Sequence, residues 1–274
     1  MIVPNSKRTN ARILHYPDKD VRQVATKPIF RRDECPPSPP RPRPISMKEP
    51  NPERSLFMSK KRALSNVRKI LDCNSFEYFI TLSFDGAKVD RFDSKAVYKK
   101  TKNFLDNARR KYGFSYLLIP GYHEPREGDK HCGIHLHALC RLGGLPVERS
   151  VYADGSPVSD DEGRPVFHLP TWKWGFSHVT PIKGSHGPAG AYCRKHIAEC
   201  KSKIFGKWYL SSRDLVKGPA AETIEPIDYH EFRDWGKLKQ KQQFEFEIYP
   251  GLSLLSEEFP YEKSDETTPV EVGK

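Results

Sequence analysis

The sequence lacks any run of about 18 apolar residues, the length that a helix needs to cross a bilayer. Residues 1–10 are polar, whereas a secretory signal requires an apolar core. The six cysteines show no paired C-x-x-C spacing in a long chain without an export signal, so we expect reduced thiols. These absences predict a cytoplasmic protein that has no membrane partner.

Acidic residues are too few to balance the basic ones: 46 Lys+Arg against 35 Asp+Glu give a formal net charge of +11. An excess of cations can neutralise a polyanion, which makes nucleic acid the leading partner class. Ribosomal proteins, membrane-surface proteins and merely soluble basic proteins share this charge. The charge therefore supports a nucleic-acid partner without deciding it.

Proline is concentrated in residues 28–52, where it is interleaved with arginine. Such a segment has too few backbone donors and too little apolar area to fold, and it samples extended polyproline conformations. We expect residues 1–55 to form a disordered, basic, Pro-rich arm. Either a passive solvated arm or a DNA-contacting one fits this composition.

Residues 56–220 carry the periodicities of regular structure. Apolar residues at helical spacing predict helices over 56–71, 94–112 and 191 to about 201. Apolar and β-branched runs predict strands over 76–84, 114–122, 134–142 and about 177–182. A loop rich in Gly, Ser and Asp spans 143–163, and residues 221–274 form an extension with an acidic flexible end. The order of elements predicts an α+β domain with a largely antiparallel sheet.

A His-x-His pattern falls inside the strand predicted at 134–142. Side chains two residues apart project to the same face of a strand, so His135 and His137 present two imidazoles side by side. Ile134, Leu136 and Ala138 turn to the opposite face. This arrangement is typical of a metal site, although so short a pattern also arises by chance.

A third ligand is expected from a neighbouring strand. Glu124 follows the preceding strand and is joined to the His-x-His strand by a hairpin-length loop. Two imidazoles and a carboxylate would leave coordination positions open for a substrate oxygen. A structural zinc site made by Cys132, Cys140 and the two histidines is the alternative, but strand parity turns the cysteines away from the imidazoles.

The second chemical element is GPAGAYCRKHIAE, residues 187–199. On a helix, Tyr192, Lys195, His196 and Glu199 share one face, because they are three, four and seven residues apart. A cation near Tyr192 would favour the phenolate, which is the better nucleophile, and would also meet phosphate charge. The alternative is a half-buried helix tyrosine that anchors the domain.

Taken together, these elements resemble the His-hydrophobic-His (HUH) endonucleases of rolling-circle replication. The likeness is to the single-tyrosine initiators of phages and plasmids, such as the filamentous-phage gene II replication-associated family, and it covers roughly residues 76–215. The matching segments are FITLSF (79–84), EPREGDKHCGIHLHAL (124–139), WKWGFSHV (172–179), AYCRKHI (191–197) and FGKWYLSSRDL (205–215).

The resemblance implies a ferredoxin/RRM-like core with flanking helices, and a role for several residues. His135 and His137 would bind Mg²⁺ or Mn²⁺, with Glu124 as the third ligand. Tyr192 would form the covalent link to DNA, and Lys195 would support the transition state or the phenolate. The candidate DNA contacts are Arg194, Lys203, Lys207 and Arg213.

The implied function is replication initiation by nicking single-stranded or extruded origin DNA, with a host helicase and polymerase as further partners. The protein would work in the host cytoplasm if a phage encodes it. Initiators with two catalytic tyrosines carry the second on the same helix, and residues 193–199 contain none. A conjugative relaxase or transposase of the same chemistry, a non-catalytic nucleic-acid-binding module and a metal-stabilised structural protein remain alternatives.

Overall fold

The computed structural model describes residues 8–32, 51–123, 133–184, 187–239, 241–249 and 252–260. The chain divides into two compact units, which we call the central unit (Ser46–Gly218) and the terminal unit (Met1–Ile45 with Pro219–Lys274). Within the described ranges, no helix combines the length and the apolar character needed to cross a bilayer.

The described ranges contain eighteen regular elements. In the first half of the chain they are β1 (Arg8–Thr9), β2 (Ala11–His15), β3 (Lys19–Ala25), β4 (Phe30–Arg31), α1 (Pro52–Asp72), β5 (Tyr78–Leu82), α2 (Ser94–Tyr112), β6 (Ser115–Tyr122) and β7 (Ile134–Arg141). In the second half they are β8 (Glu148–Arg149), β9 (Phe167–His168), β10 (Ser177–Pro181), α3 (Gly187–Glu199), β11 (Leu210–Ser211), β12 (Ala220–Thr223), α4 (Tyr229–Leu238), β13 (Gln243–Tyr249) and β14 (Leu252–Pro260).

The central unit is built on a seven-stranded sheet with the strand order β11-β6-β7-β5-β10-β9-β8. Every neighbouring pair in it is antiparallel. β7 is hydrogen-bonded to β6 on one side and to β5 on the other, and it is buried along nearly its whole length. The predicted α+β class with a largely antiparallel sheet and flanking helices is confirmed.

The two faces of this sheet are covered by different helices. α2 packs Phe104 and Leu105 on one face, against Leu118 and Leu136. On the other face α1 and α3 cover β6 and β7, in a second core that contains Leu139. Strands covered on both sides read as nearly continuous apolar runs, which is why β6 and β7 were recognisable in the sequence.

The helices begin and end where their capping residues lie. Asn51 caps α1, its side chain accepting a hydrogen bond from the Arg54 amide at 2.9 Å, so this helix starts before the predicted residue 56. Asp93 caps α2, its side chain accepting a hydrogen bond from the Lys95 amide at 2.8 Å. Gly113 ends α2 in the left-handed conformation with φ of 71°.

In the terminal unit, β2 and β3 lie in a five-stranded antiparallel sheet with the order β12-β2-β3-β14-β13. Residues 8–31 thus differ from the disordered arm that we expected over 1–55. β2 and β3 show only a weak alternation of apolar and polar residues, so the local sequence gave little sign of a sheet. Their outer partners, β12 and β14, come from the other end of the chain. Most of the Pro-rich run, residues 33–50, lies outside the described residues.

The acidic end shows a similar departure from the prediction. Glu257 and Glu258 belong to β14 rather than to a flexible tail. Glu257 is fully buried and accepts a hydrogen bond from Gln243 Nε2 at 2.8 Å, so its carboxylate is part of the sheet's packing. Residues 261–274, with the rest of the predicted acidic end, lie outside the described residues.

Two phenylalanines of the central unit test the assignment of the core. Phe114 is 2% exposed and packs against Phe104 and Tyr116, with ring centroids 6.2 and 5.7 Å away. Phe114→Ala should lower the free energy of unfolding by about 3–5 kcal/mol, because it removes apolar burial and leaves a cavity. The matched control is Phe176→Ala, at a side chain that is 80% exposed, with an expected change below about 0.5 kcal/mol. Urea unfolding measures both, and equal losses would contradict this packing.

Candidate metal centre and active site

The two histidines of the His-x-His pattern lie on β7, in the middle of the seven-stranded sheet. His135 and His137 project to the same face, with ring centroids 4.5 Å apart, and each is 4% exposed. Ile134, Leu136 and Ala138 project to the opposite face and belong to the core under α2. The predicted alternation is therefore confirmed, and the apolar face fixes the register that keeps both imidazoles together.

Helix α3 brings two more side chains to this face. Cys193 and Ile197 are buried against the sheet, which leaves Tyr192 and His196, one helical turn apart, directed at the histidines of β7. The His196 ring centroid lies 4.6 Å from that of His137. The Tyr192 hydroxyl lies 3.5 Å from His137 Nε2. The tyrosine and the His-x-His pair therefore share one site.

Three of these imidazoles form a cluster that could hold a metal ion. One ring nitrogen from each of His135, His137 and His196 lies within 4.8 Å of the other two. The Nδ1 atom of His135 is buried and has no hydrogen-bond partner among the described residues. A buried polar atom without a partner is costly, and a metal ion is one group that would satisfy it.

Residues of β5 orient His137. Thr81 pairs with His137 in the sheet register, and its hydroxyl lies 3.1 Å from His137 Nδ1. This hydrogen bond leaves Nε2 directed at Tyr192, as in metal sites where a second partner fixes the ligand's ring. Phe79 stacks on the His137 ring at 5.6 Å and meets Tyr192 edge-on at 5.9 Å. The segment FITLSF thus supplies two of the contacts that hold the site together.

A glycine on β6 makes room for the imidazoles. Gly121 lies opposite His135 in the register. A Cβ atom at this position would lie 3.0 Å from His196 Nδ1 and 3.2 Å from His135 Nε2, closer than side-chain carbons normally approach. The absence of a side chain at residue 121 therefore lets imidazoles from the strand and from the helix meet.

The electrostatic environment keeps these histidines neutral. Burial, reinforced by the neighbouring histidines, lowers the pKa of His135 to about 3 and the pKa of His137 to about 2. Burial also lowers the pKa of His196. A neutral imidazole is the form that donates a lone pair to a metal, so the cluster is ready to bind an ion at neutral pH without losing protons first.

The nucleophile candidate is partly open to solvent, and the described residues around it raise its pKa rather than lower it. Tyr192 is 45% exposed, and its pKa is raised by burial and then by Cys193 and Glu199. Lys195 is exposed and its ammonium lies 3.7 Å from Glu199 Oε1. The described contacts of Lys195 therefore run to Glu199, and its predicted support of the phenolate stays a prediction. An ion on the imidazoles would place positive charge beside the Tyr192 hydroxyl, which lies 3.5 Å from His137 Nε2.

The other predicted ligands fall into two groups. Glu124 and Cys132 lie outside the described residues. Cys140 is buried in the core under α2, with its sulfur 3.6 Å from the Tyr78 carbonyl oxygen. Strand parity does turn Cys140 away from the imidazoles, as predicted, so a structural zinc site that includes it is contradicted.

The predicted DNA contacts do not gather around Tyr192. Arg194 lies half-buried on α3, and Lys203 is exposed beyond the end of that helix. Lys207 and Arg213 line a separate cavity of about 510 Å³ beside α2, the helix on the opposite face of the sheet from the histidines. The four cations are thus spread over more than one part of the central unit, and their contact with DNA stays a prediction.

Sequence reasoning missed the third imidazole of the cluster. The sequence places His196 on the same helical face as Tyr192 but predicts a carboxylate, Glu124, as the third ligand, whereas the structure brings His196 to the cluster. His123, at the end of β6, was also missed, and its ring stacks on His135 with centroids 3.9 Å apart. The four-residue spacing from Tyr192 was the one signal that could have identified His196.

Comparison with protein families, with curated protein sequences and with solved structures finds no match for this chain in any of the three. Interpretation of the site therefore depends on its own geometry.

The lowered pKa values predict a pH dependence of stability. Unfolded histidines titrate near pH 6.5, so between there and about pH 3 the unfolded chain binds protons that the folded chain does not. Stability should be full above this window and should fall as the pH drops, by at most about 1.4 kcal/mol per pH unit for each of His135 and His137.

Urea unfolding in the presence of a chelator, between about pH 7 and about pH 5, measures this slope before most carboxylates titrate. His137→Asn should be less steep than wild type, because one titrating group is removed. Identical slopes for the two proteins would show that His137 is not held neutral by burial.

Proposed function

We propose that this chain is a metal-dependent endonuclease that nicks single-stranded DNA through Tyr192 and initiates rolling-circle replication. The observation that carries the proposal is the position of the Tyr192 hydroxyl, 3.5 Å from His137 Nε2, next to a cluster of imidazoles able to hold one ion. A nucleophile and a seat for positive charge are the two parts that phosphodiester cleavage requires.

In the proposed reaction, the Tyr192 oxygen attacks a backbone phosphorus while the bond from phosphorus to the 3′-oxygen breaks. The phenol loses a proton and the departing oxygen gains one, which leaves a 5′-phosphotyrosine and a 3′-hydroxyl that a polymerase can extend. A divalent ion at the imidazoles would supply positive charge to the non-bridging oxygens and to the phenolate. The covalent link conserves the phosphodiester bond energy for later rejoining.

The donor atoms suggest which ion suits the site. Imidazole nitrogens favour transition metals, whereas Mg²⁺ prefers oxygen ligands and keeps several waters. Of the two ions expected from the sequence, Mn²⁺ therefore fits His135, His137 and His196 better than Mg²⁺ does. A carboxylate from Glu124 would make the site more tolerant of Mg²⁺.

Single-stranded DNA is the substrate that best suits this geometry. A phosphate inside a duplex is hard to align with both a helix tyrosine and an ion on the sheet. Tyr192 is half-exposed, so an incoming strand can reach its hydroxyl. The net charge of +11 supplies the attraction for a polyanion.

The assignment of the central unit to an HUH-type, ferredoxin/RRM-like core belongs to the same proposal. Its support is the placement of the His-x-His strand β7 between β6 and β5, with the tyrosine helix α3 packed on the same face. A conjugative relaxase or transposase would use the same site on a different DNA. A purely binding or structural role would leave the contact between Tyr192 and His137 without a use.

Replacement of Tyr192 by phenylalanine removes only the hydroxyl oxygen and tests whether Tyr192 is the nucleophile. Wild-type protein with Mn²⁺ and a single-stranded DNA library of random sequence should give a covalent adduct that survives denaturing electrophoresis and disappears with chelator. Tyr192→Phe should give no adduct and should still bind DNA, because only the attacking hydroxyl is lost.

Tyr152→Phe is the matched control, since this tyrosine is also exposed, at 57%, but lies in the hairpin between β8 and β9. It should form the adduct as the wild type does. An adduct that persists in Tyr192→Phe would rule out Tyr192 as the attacking group.

The hydrogen bond between Thr81 on β5 and His137 should affect how tightly the site binds an ion. Thr81→Val keeps the side-chain shape but removes the hydroxyl that orients His137, so the Mn²⁺ dissociation constant should rise about 10-fold or more. Isothermal titration calorimetry measures the change. Thr101→Val is the control, because that buried hydroxyl bonds the Val97 carbonyl oxygen on α2. Equal affinities in all three proteins would mean that His137 is not a ligand oriented by Thr81.

A further inference from the structure

A second cavity, of about 370 Å³, borders the ring of Tyr192. Phe79, Thr180 and Ala189 line it together with Glu162 and Arg164 from the segment before β9. The segment between β7 and β10 appeared in the sequence only as a loop rich in Gly, Ser and Asp, and the proposed cleavage reaction gives it no role. Its contribution to a cavity at the nucleophile calls for an explanation.

A tight turn holds Arg164 in position. Asp160 accepts hydrogen bonds from the backbone amides of Glu162 and Arg164, at 3.0 and 2.8 Å, and from Arg164 Nε at 2.6 Å. Gly163 adopts a φ of 72° within this turn. The Arg164 side chain is consequently only 27% exposed, and the turn presents a fixed guanidinium to the cavity.

The guanidinium of Arg164 is neutralised by its neighbours, whereas Lys183, which also lines the cavity, adds a further cation. Glu162 Oε2 lies 3.1 Å from Arg164 Nη1, so the guanidinium is paired with this carboxylate as well as with that of Asp160. A phosphate would gain little from a cation that is already neutralised. Thr180 is 4% exposed and is one of the lining residues, a β-branched side chain that carries a hydroxyl. Glu162, Arg164 and Thr180 offer donors and acceptors side by side, which suit the edge of a polar ring, and the ammonium of Lys183 suits a phosphate joined to that ring through its sugar.

Aromatic surfaces complete the lining. Phe79 and Tyr192 meet edge-to-face at 5.9 Å, so both contribute ring surface to the same cavity. A nucleobase stacks well on such surfaces, because every base has a π-face, while its edge offers groups to hydrogen-bond.

We propose that this cavity binds the base of a nucleotide that directly flanks the scissile phosphate. Glu162, Arg164 and Thr180 read the edge of that base and so set the sequence that is cut. The inference rests on the proposed function, because Tyr192 is both a wall of the cavity and the attacking group. A phosphate in reach of its hydroxyl places a neighbouring base at the cavity.

Sequencing of the covalent adducts tests the reading of the base. Wild-type protein on the random single-stranded library should select one base at a position next to the cut. Glu162→Gln and Thr180→Val should change the preference at that position while adducts still form. Glu148→Gln is the control in the same hairpin, since Glu148 pairs with His168 outside the cavity, and it should keep the wild-type preference.

A filled cavity provides a second test that does not depend on which base is preferred. Removal of the flanking base from the selected oligonucleotide, leaving an abasic site, should slow adduct formation by wild type about 10-fold or more, through lost stacking. Ala189→Leu extends a side chain into the cavity. With this variant, the intact oligonucleotide should form adducts as slowly as wild type does with the abasic one. The variant should therefore show no difference in rate between the intact and the abasic oligonucleotide. Ala198→Leu, on the same helix beyond the cavity, should behave as wild type.

The outcomes separate the two proposals. If wild type forms no adduct with any sequence, the proposed nicking function is contradicted. If it forms adducts but an abasic site on either side of the cut leaves the rate unchanged, the function stands and the base pocket is wrong. The pocket is also wrong if Ala189→Leu slows intact and abasic substrates by the same factor, since that result would indicate only a displaced Tyr192.

Discussion

The site depends on the packing of helix α3 against strands β6 and β7. Cys193 and Ile197 are buried in this contact, and their burial fixes the rotation of the helix about its own axis. That rotation places Tyr192 and His196 over the imidazoles of β7. A rotation by one residue, about 100°, would carry the Tyr192 hydroxyl away from the histidines and would break up the cluster of imidazoles.

The opposite face of the same sheet makes this contact possible. Leu136 and Ala138 alternate with the histidines along β7 and are buried under α2, so a slip in register would bury imidazoles in an apolar core. Because burying imidazoles in the apolar core under α2 would be unfavourable, the register that places them together on the other face is the stable one. Gly121 is also needed, since its lack of a side chain leaves the space in which His135 of the strand and His196 of the helix meet.

Local pattern was enough to predict the elements that build this arrangement. The two-residue period of a strand predicts that His135 and His137 share a face, and the 3.6-residue period of a helix predicts the extent of α2. Neither prediction needs knowledge of distant contacts. β2 and β3 pair with each other, but the strands that complete their sheet, β12 and β14, lie more than 180 residues further along the chain, and the Pro-rich composition nearby favoured a disordered arm. His196 was overlooked because helical phase shows which side chains share a face but not which of them meets a strand. The turn that holds Arg164 is made by local contacts of Asp160, but the local sequence does not show that this turn lies beside Tyr192.

We propose that one ion binds among the imidazoles of His135, His137 and His196, beside the Tyr192 hydroxyl. Anomalous diffraction from crystals grown with Mn²⁺ measures this directly, because it locates the metal independently of any activity. The account predicts a single strong peak about 2.2 Å from one nitrogen each of His135, His137 and His196, with Tyr192 adjacent. A peak elsewhere, or a cluster that stays free of Mn²⁺ at saturating concentration, would contradict it.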